Sequence, residues 1–86
     1  MQTAWTILTD VAVKAILLIA QDKQIELDNA KVAAALSEIM KEMIPTIQQE
    51  WAEAIEANLG KAWLERLLNA QAYEIAIEVL KKMEVL

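Results

Sequence analysis

The sequence contains no cysteine and no histidine, and these two absences remove much of the chemistry open to a small protein. Without cysteine, the chain has neither disulfides nor thiolate metal sites. Without histidine, it lacks the commonest general base and the commonest metal ligand. We therefore expect no metal and no cofactor. Since a cysteine-free chain is compatible with a reducing compartment, we expect a cytoplasmic protein.

Basic residues are also few, with eight Lys and Arg against thirteen Asp and Glu and a net charge of −5. They are scattered along the chain, and the only adjacent pair is Lys81 and Lys82. Nucleic-acid binding through phosphate neutralisation is therefore not expected. The single glycine leaves no glycine-rich loop that could hold a phosphate.

Long apolar runs are absent as well. The longest uninterrupted one, residues 15–20, has six residues, whereas a membrane span needs about 20. A wider window, residues 5–20, contains Asp10, Lys14 and two threonines. The first ten residues are neutral to acidic, unlike the basic start of a secretory leader. We expect this segment to be a buried helix and the protein not to contact a membrane.

Apolar residues are nevertheless abundant for a chain of 86 residues, at 57% of the total against about 45–50% in ordinary domains. A chain of this length forms one domain, here residues 1–86, and buries only about 60–65% of its unfolded surface. Some apolar side chains should therefore stay exposed, and large exposed apolar patches usually mark interfaces. The composition predicts self-association, and a homodimer is the expected form.

The remaining residues favour an all-α fold, because fifteen are alanine and only one glycine and one proline interrupt them. Apolar periodicity predicts four helices in a compact bundle, at residues 3–22, 29–43, 45–58 and 61–84. Pro45 marks a break or a kink between helices 2 and 3. Asp28 is the expected N-cap of the second helix and Gly60 the left-handed residue after the third. The first helix is apolar on nearly all sides and should lie at the centre.

The last predicted helix changes its apolar face along its length. Projected at about 100° per residue, the apolar positions around Leu64 and Leu67 differ in direction from those after Ala72 by about 150°. Either the helix breaks at Asn69, which tolerates a left-handed turn, or its halves contact different neighbours. We favour an unbroken helix, since Ala70, Gln71 and Ala72 are good helix formers.

Candidate catalytic residues are sparse, and we do not expect an enzyme. Glu50, Glu53 and Glu56 share a helix face, but carboxylate-bridged metal sites in bundles also use histidine, so a solvated acidic face is the better interpretation. Ser37, the only serine, has no base to activate it. Arg66, the only arginine, could bind a partner carboxylate, but a salt bridge is the simpler role.

The aromatic set is three Trp and one Tyr with no Phe, a choice that favours interfaces because each side chain pairs an apolar body with a polar tip. We interpret the protein as a non-catalytic, acidic protein–protein interaction module that acts as a homodimer with an unidentified protein partner. The predicted interface residues are Trp5, Trp63, Tyr73, Ile77, Leu80 and Leu86. The alternative is a bundle that binds a small molecule or lipid in a pocket lined by Met40, Met43 and Trp51.

Overall fold

The computed structural model of the chain describes residues 3–86, and within them it contains three α-helices and no strand. These are α1 (Ala4–Asp22), α2 (Asn29–Glu56) and α3 (Lys61–Lys82). The prediction of an all-α fold is confirmed. The prediction of four helices is wrong, because the second and third predicted helices are one continuous helix, α2.

Helix α2 passes through Pro45 without a break. Proline lacks the amide that would bond to the carbonyl of Lys41, and its ring crowds the preceding turn. Both Lys41 and Pro45 are exposed, so water can solvate the freed carbonyl. On the opposite side of the helix, Ile39 and Ile47 are buried. The apolar stripe is continuous across the proline and holds both halves against the same neighbour.

Side chains cap the first two helices at their starts. The Thr3 hydroxyl accepts a hydrogen bond from the Thr6 amide at 3.2 Å. The Asp28 carboxylate accepts from the Ala30 amide at 2.9 Å and the Lys31 amide at 3.3 Å, which confirms the predicted cap. These contacts satisfy amides that have no partner within the helix.

All three helices end in the same way, with a Schellman motif closed by a residue other than glycine. Gln24, Asn58 and Glu84 have φ of 56°, 59° and 61°. The next residues donate back into the last turn, from Ile25 to Ala20 and from Leu59 to Ala54, with the equivalent bond from Val85 to Leu80. This is the hydrogen-bond pattern of the motif. The prediction for Gly60 is wrong, since its φ is −74° and it lies directly before α3.

Helix α3 is the central helix, because its backbone approaches both others closely whereas no Cα atom of α1 lies within 8 Å of one in α2. The expectation that the first helix would be central is therefore wrong. Contacts at Trp51 and Glu38 place α3 antiparallel to α2, and α1 runs in the same direction as α3. The core is one cluster, which contains Leu8, Ala12, Ile16, Ala35, Leu36, Ile39, Ile47, Ala72, Ile75, Ala76, Val79 and Leu80.

Helix α3 is unbroken at Asn69, as favoured from the sequence. Ile75, Val79 and Leu80 in its second half are fully buried, whereas Leu64, Leu67 and Leu68 in its first half are only partly buried. The packing is therefore looser at the end of the bundle that contains the α2–α3 connection. The radius of gyration, 13.5 Å, exceeds the roughly 12 Å typical of a compact domain of this length.

Candidate interaction surfaces

Large apolar side chains remain exposed over much of the molecule. The most exposed is Ile55 at 73%, followed by Leu18 at 66% and Trp63 at 57%. The others are Ile7, Leu17, Leu59, Tyr73 and Leu86. Single exposed apolar residues are ordinary on soluble proteins, whereas contiguous ones usually mark binding surfaces. Their positions on the helices show which of them share a surface.

The two flanks of α1 face different ways. Val13 and Leu17 line a depression together with Val32 and Leu36 of α2, so this flank of α1 is turned toward α2. At about 100° per residue, Ile7 and Leu18 lie on the other flank. That flank borders α3 and is directed away from α2.

The two flanks of α3 can be separated in the same way. Gln71 accepts a hydrogen bond from Trp51, and Lys82 pairs with Glu38, so the flank that carries them faces α2. Tyr73 and Ile77 lie on the opposite flank at about 100° per residue, beside α1.

These two outward flanks border each other and form one surface, which we name the α1/α3 face. It contains Ile7, Val11, Leu18, Tyr73 and Ile77. Between Ile7 and Leu18 on α1 and between Tyr73 and Ile77 on α3, these flanks carry one charged residue, Lys14, and Asp22 follows one turn after Leu18. Between Ile7 and Leu18, this face therefore carries no carboxylate, in a chain of net charge −5.

A second apolar surface lies nearer the other end of α3, between its first half and the last half of α2. We name it the α2/α3 groove. It has a volume of about 560 Å³ and is lined by Glu50, Glu53, Ala54, Ala57, Leu59, Trp63, Arg66, Leu67 and Ala70. The carboxylates lie on the α2 wall, and Arg66 lies on the α3 wall with its guanidinium carbon 5.4 Å from the centre of the Trp63 ring. The floor is apolar, and the two walls carry opposite charge.

A buried polar contact ties the three helices together at one level of the bundle. The rings of Trp5 and Trp51 stack with centroids 4.5 Å apart and planes tilted by 52°. The Trp51 indole N–H donates to the Gln71 side-chain oxygen at 2.9 Å. Gln71 is 1% exposed, and its amide nitrogen has no hydrogen-bond partner among the described residues. Sequence analysis missed Gln71, since a Gln between two alanines gives no sign of burial.

A smaller apolar cleft of about 220 Å³ lies beside Trp51. Its lining comes from all three helices: Ala4, Trp51, Ile55, Leu64, Leu67 and Leu68. The residues of the predicted pocket of Met40, Met43 and Trp51 have different surroundings: Met43 lines a separate depression with acidic residues of α2 and α3. Met40 packs against the core. Trp51 alone belongs to a cleft.

The predicted interface residues are divided among several environments. Tyr73 and Ile77 lie on the α1/α3 face, and Trp63 lies in the α2/α3 groove in the first half of α3. Leu80 is fully buried in the core of its own subunit and offers a partner no surface, because the helix turns it inward. Trp5 is half-buried against Trp51. Leu86 is exposed beyond the last turn, after Val85 packs against the core.

Ile7 and Leu18 were missed as interface candidates. The sequence shows that the first helix is apolar on nearly all sides. We interpreted this pattern as evidence for a central helix, not for an exposed apolar flank. Only Leu8, Ala12, Ile16 and Ala20 of α1 are buried. Helix α1 is also long and apolar enough to cross a membrane, a criterion that core helices and leader sequences meet as well.

One ion pair joins α2 to α3. Lys82 Nζ lies 2.8 Å from Glu38 Oε2, with both side chains substantially exposed. The hydrogen bond from Lys82 and its positive charge lower the pKa of the Glu38 carboxyl. The same hydrogen bond and the carboxylate charge raise the pKa of Lys82.

The comparisons with known proteins give no relative from which a role could be transferred. No family model, no curated protein and no solved structure matches the chain.

Proposed function

We propose that the protein is a non-catalytic interaction module that forms a homodimer through the α1/α3 face and binds another protein with a second surface. The main support for the dimer is the large solvent-accessible surface of the folded subunit. The subunit exposes 6049 Å², whereas a folded monomer of 9.6 kDa exposes about 5,100 Å².

The excess of about 1,000 Å² is comparable with the area that a stable interface buries on each partner, about 800 Å². The most exposed apolar side chain of α1, Leu18, lies on the α1/α3 face together with Tyr73, which is 56% exposed. Covering this face would lower the exposed area toward the value expected for the mass.

Electrostatics favour the same face. Two subunits of charge −5 repel each other, and like charges placed together at an interface are costly. A symmetric dimer brings identical patches together, so its contact surface should carry few carboxylates. In such a dimer α1 and α3 of both subunits would form a four-helix layer, and the acidic helix α2 would remain on each outer side.

Two matched substitutions test the dimer. We expect Leu18→Glu to weaken self-association by about tenfold or more, because it places a carboxylate in the apolar contact. Leu17→Glu is the control: the adjacent residue is similarly exposed, at 53%, but lies on the flank facing α2. Sedimentation equilibrium gives both dissociation constants, and equal effects of the two substitutions would contradict the proposed face.

A second candidate function is binding of a small apolar molecule, favoured by the cleft beside Trp51. Its volume of about 220 Å³ is below the 300–1,000 Å³ or so usual for ligand sites, so it suits a fragment of the size of one aromatic ring. Titration with benzene or indole should then shift the tryptophan emission. An emission spectrum unchanged by these compounds counts against this function.

A further inference from the structure

The α2/α3 groove has the geometry of a docking site for a helix of another molecule. The small apolar residues of its lining are Ala54, Ala57 and Ala70, and the larger ones are Leu59, Trp63 and Leu67. Small residues allow another backbone to approach to the 8–10 Å or so at which helices pack. The larger side chains, which lie on α3 and in the α2–α3 connection, would then contact one side of that helix.

The length of the groove sets the size of the occupant. Its lining runs from Glu50 to Ala57 on α2 and from Trp63 to Ala70 on α3. At 1.5 Å per residue, each wall is about 10 Å long. This matches two turns of helix, and a docked helix would place apolar residues at positions i, i+3 or i+4, and i+7 along it.

The charges beside the groove define the chemistry of the occupant. Glu50 is partly buried, Glu53 is exposed, and neither they nor Arg66 belong to an ion pair within residues 3–86. Glu53 accepts one hydrogen bond, from Gln49 at 3.2 Å. The α2 wall therefore presents two carboxylates without an ion pair among the described residues, in a molecule of net charge −5.

We propose that the groove binds an amphipathic helix of another protein, with a short apolar stripe on the floor and lysine or arginine residues against Glu50 and Glu53. Arg66 on the opposite wall disfavours a helix with basic residues on both flanks and so fixes its orientation. This inference rests on the interaction role proposed above but not on the dimer.

A designed peptide tests the groove directly. The probe is an amphipathic helix of about 18 residues, since shorter isolated helices are marginally stable, with one leucine stripe and lysines on one flank. We expect it to bind and to shift the emission of Trp63, a change that the Trp63→Phe variant should not show. A peptide of the same composition with the leucines dispersed, and one with Glu in place of Lys, should bind at least about tenfold more weakly.

Variants locate the site. Ala70→Arg places bulk and positive charge on the exposed floor and should weaken binding about tenfold or more. Glu50→Gln with Glu53→Gln should weaken it severalfold and reduce its salt dependence. Glu74→Gln with Glu78→Gln removes the same charge from residues outside the groove and should leave binding close to that of the parent.

Three outcomes would overturn the inference: no binding of the basic peptide, equal binding of the dispersed peptide, or binding that Ala70→Arg leaves unchanged. A fourth is the loss of dimer mass in Ala70→Arg, which would assign the groove to a second copy of the chain. Failure of the dimer is recognised separately, because Leu18→Glu lies outside the groove and should retain peptide binding whatever the subunit mass.

Discussion

At the scale of single residues, the Trp51–Gln71 hydrogen bond is the contact whose removal is most informative. A buried polar group left without its partner costs about 1–3 kcal/mol, whereas replacing both partners with apolar groups can be nearly neutral. We expect the free energies of unfolding of Trp51→Phe, Gln71→Leu and the double variant to be non-additive. The double variant should be more stable than the sum of the single changes by about 1 kcal/mol.

Urea unfolding of the four proteins measures this coupling. Trp51→Phe also reduces the stack on Trp5, but that loss is common to both sides of the cycle and cancels. Additive effects within about 0.3 kcal/mol would mean that the hydrogen bond makes no net contribution. Gln71→Leu also removes a buried amide nitrogen that has no hydrogen-bond partner among the described residues. We therefore expect this single substitution to be only mildly destabilising.

The Glu38–Lys82 pair makes a prediction about pH. Because Lys82 lowers the pKa of Glu38 below its ordinary value of about 4.5, the pair stabilises the fold above that pH and loses its effect as the carboxyl is protonated. We expect the difference in Tm between the parent and Glu38→Gln to be small at neutral pH and to vanish in acid. Thermal unfolding followed by circular dichroism from pH 7 to pH 2 tests this expectation.

Both side chains of the pair are exposed. The difference in Tm between the parent and Glu38→Gln should therefore decrease in about 1 M salt. A difference that grows as the pH falls would contradict the direction of the pKa change. Because the pKa of Lys82 is raised, the stabilisation should also be lost as the pH rises above that of the free amine and through the raised pKa.

At the scale of secondary-structure elements, the helix ends make the sharpest prediction. A residue other than glycine costs about 1–2 kcal/mol in the left-handed conformation, and Gln24 and Glu84 both adopt it. We expect Gln24→Gly and Glu84→Gly each to raise the free energy of unfolding by about 0.5–1 kcal/mol, after allowing for the greater freedom of glycine in the unfolded chain. Chemical denaturation measures the change.

Asn58→Gly is the internal control, because asparagine tolerates the left-handed conformation. Its free energy of unfolding should therefore rise less than those of Gln24→Gly and Glu84→Gly. Equal gains at all three positions would show that residue type does not determine the cost. A loss of stability at Gln24 would show that its side chain makes a contact outweighing the backbone term.

Much of the helical content was predictable, and the errors have identifiable causes. The apolar periodicity left open whether Pro45 breaks or kinks the helix, because it could not show that burial on both sides of the proline outweighs its local cost. Gly60 was the expected helix end because glycine is the commonest residue there. The motif instead follows from the position of Leu59, whose amide bonds back to Ala54.

At the scale of the whole molecule, composition predicted an excess of exposed apolar surface but not its location. The periodicity of α3 placed Tyr73 and Ile77 on one side, whereas the core status of Leu80 depends on how closely α1 approaches. That approach is made possible by Ala12, Ala72 and Ala76, small residues distant in sequence. Which flank of each helix faces its neighbour is a property of the packed bundle, so the two apolar surfaces became distinct only in three dimensions.

The central claim is that the subunit pairs to cover its α1/α3 face, and the molar mass in solution tests it most directly. Light scattering coupled to size exclusion, across a range of protein concentrations, should give about 19 kDa, twice the subunit mass of 9.6 kDa. A mass that stays at 9.6 kDa up to the highest concentration reached would contradict the proposed dimer.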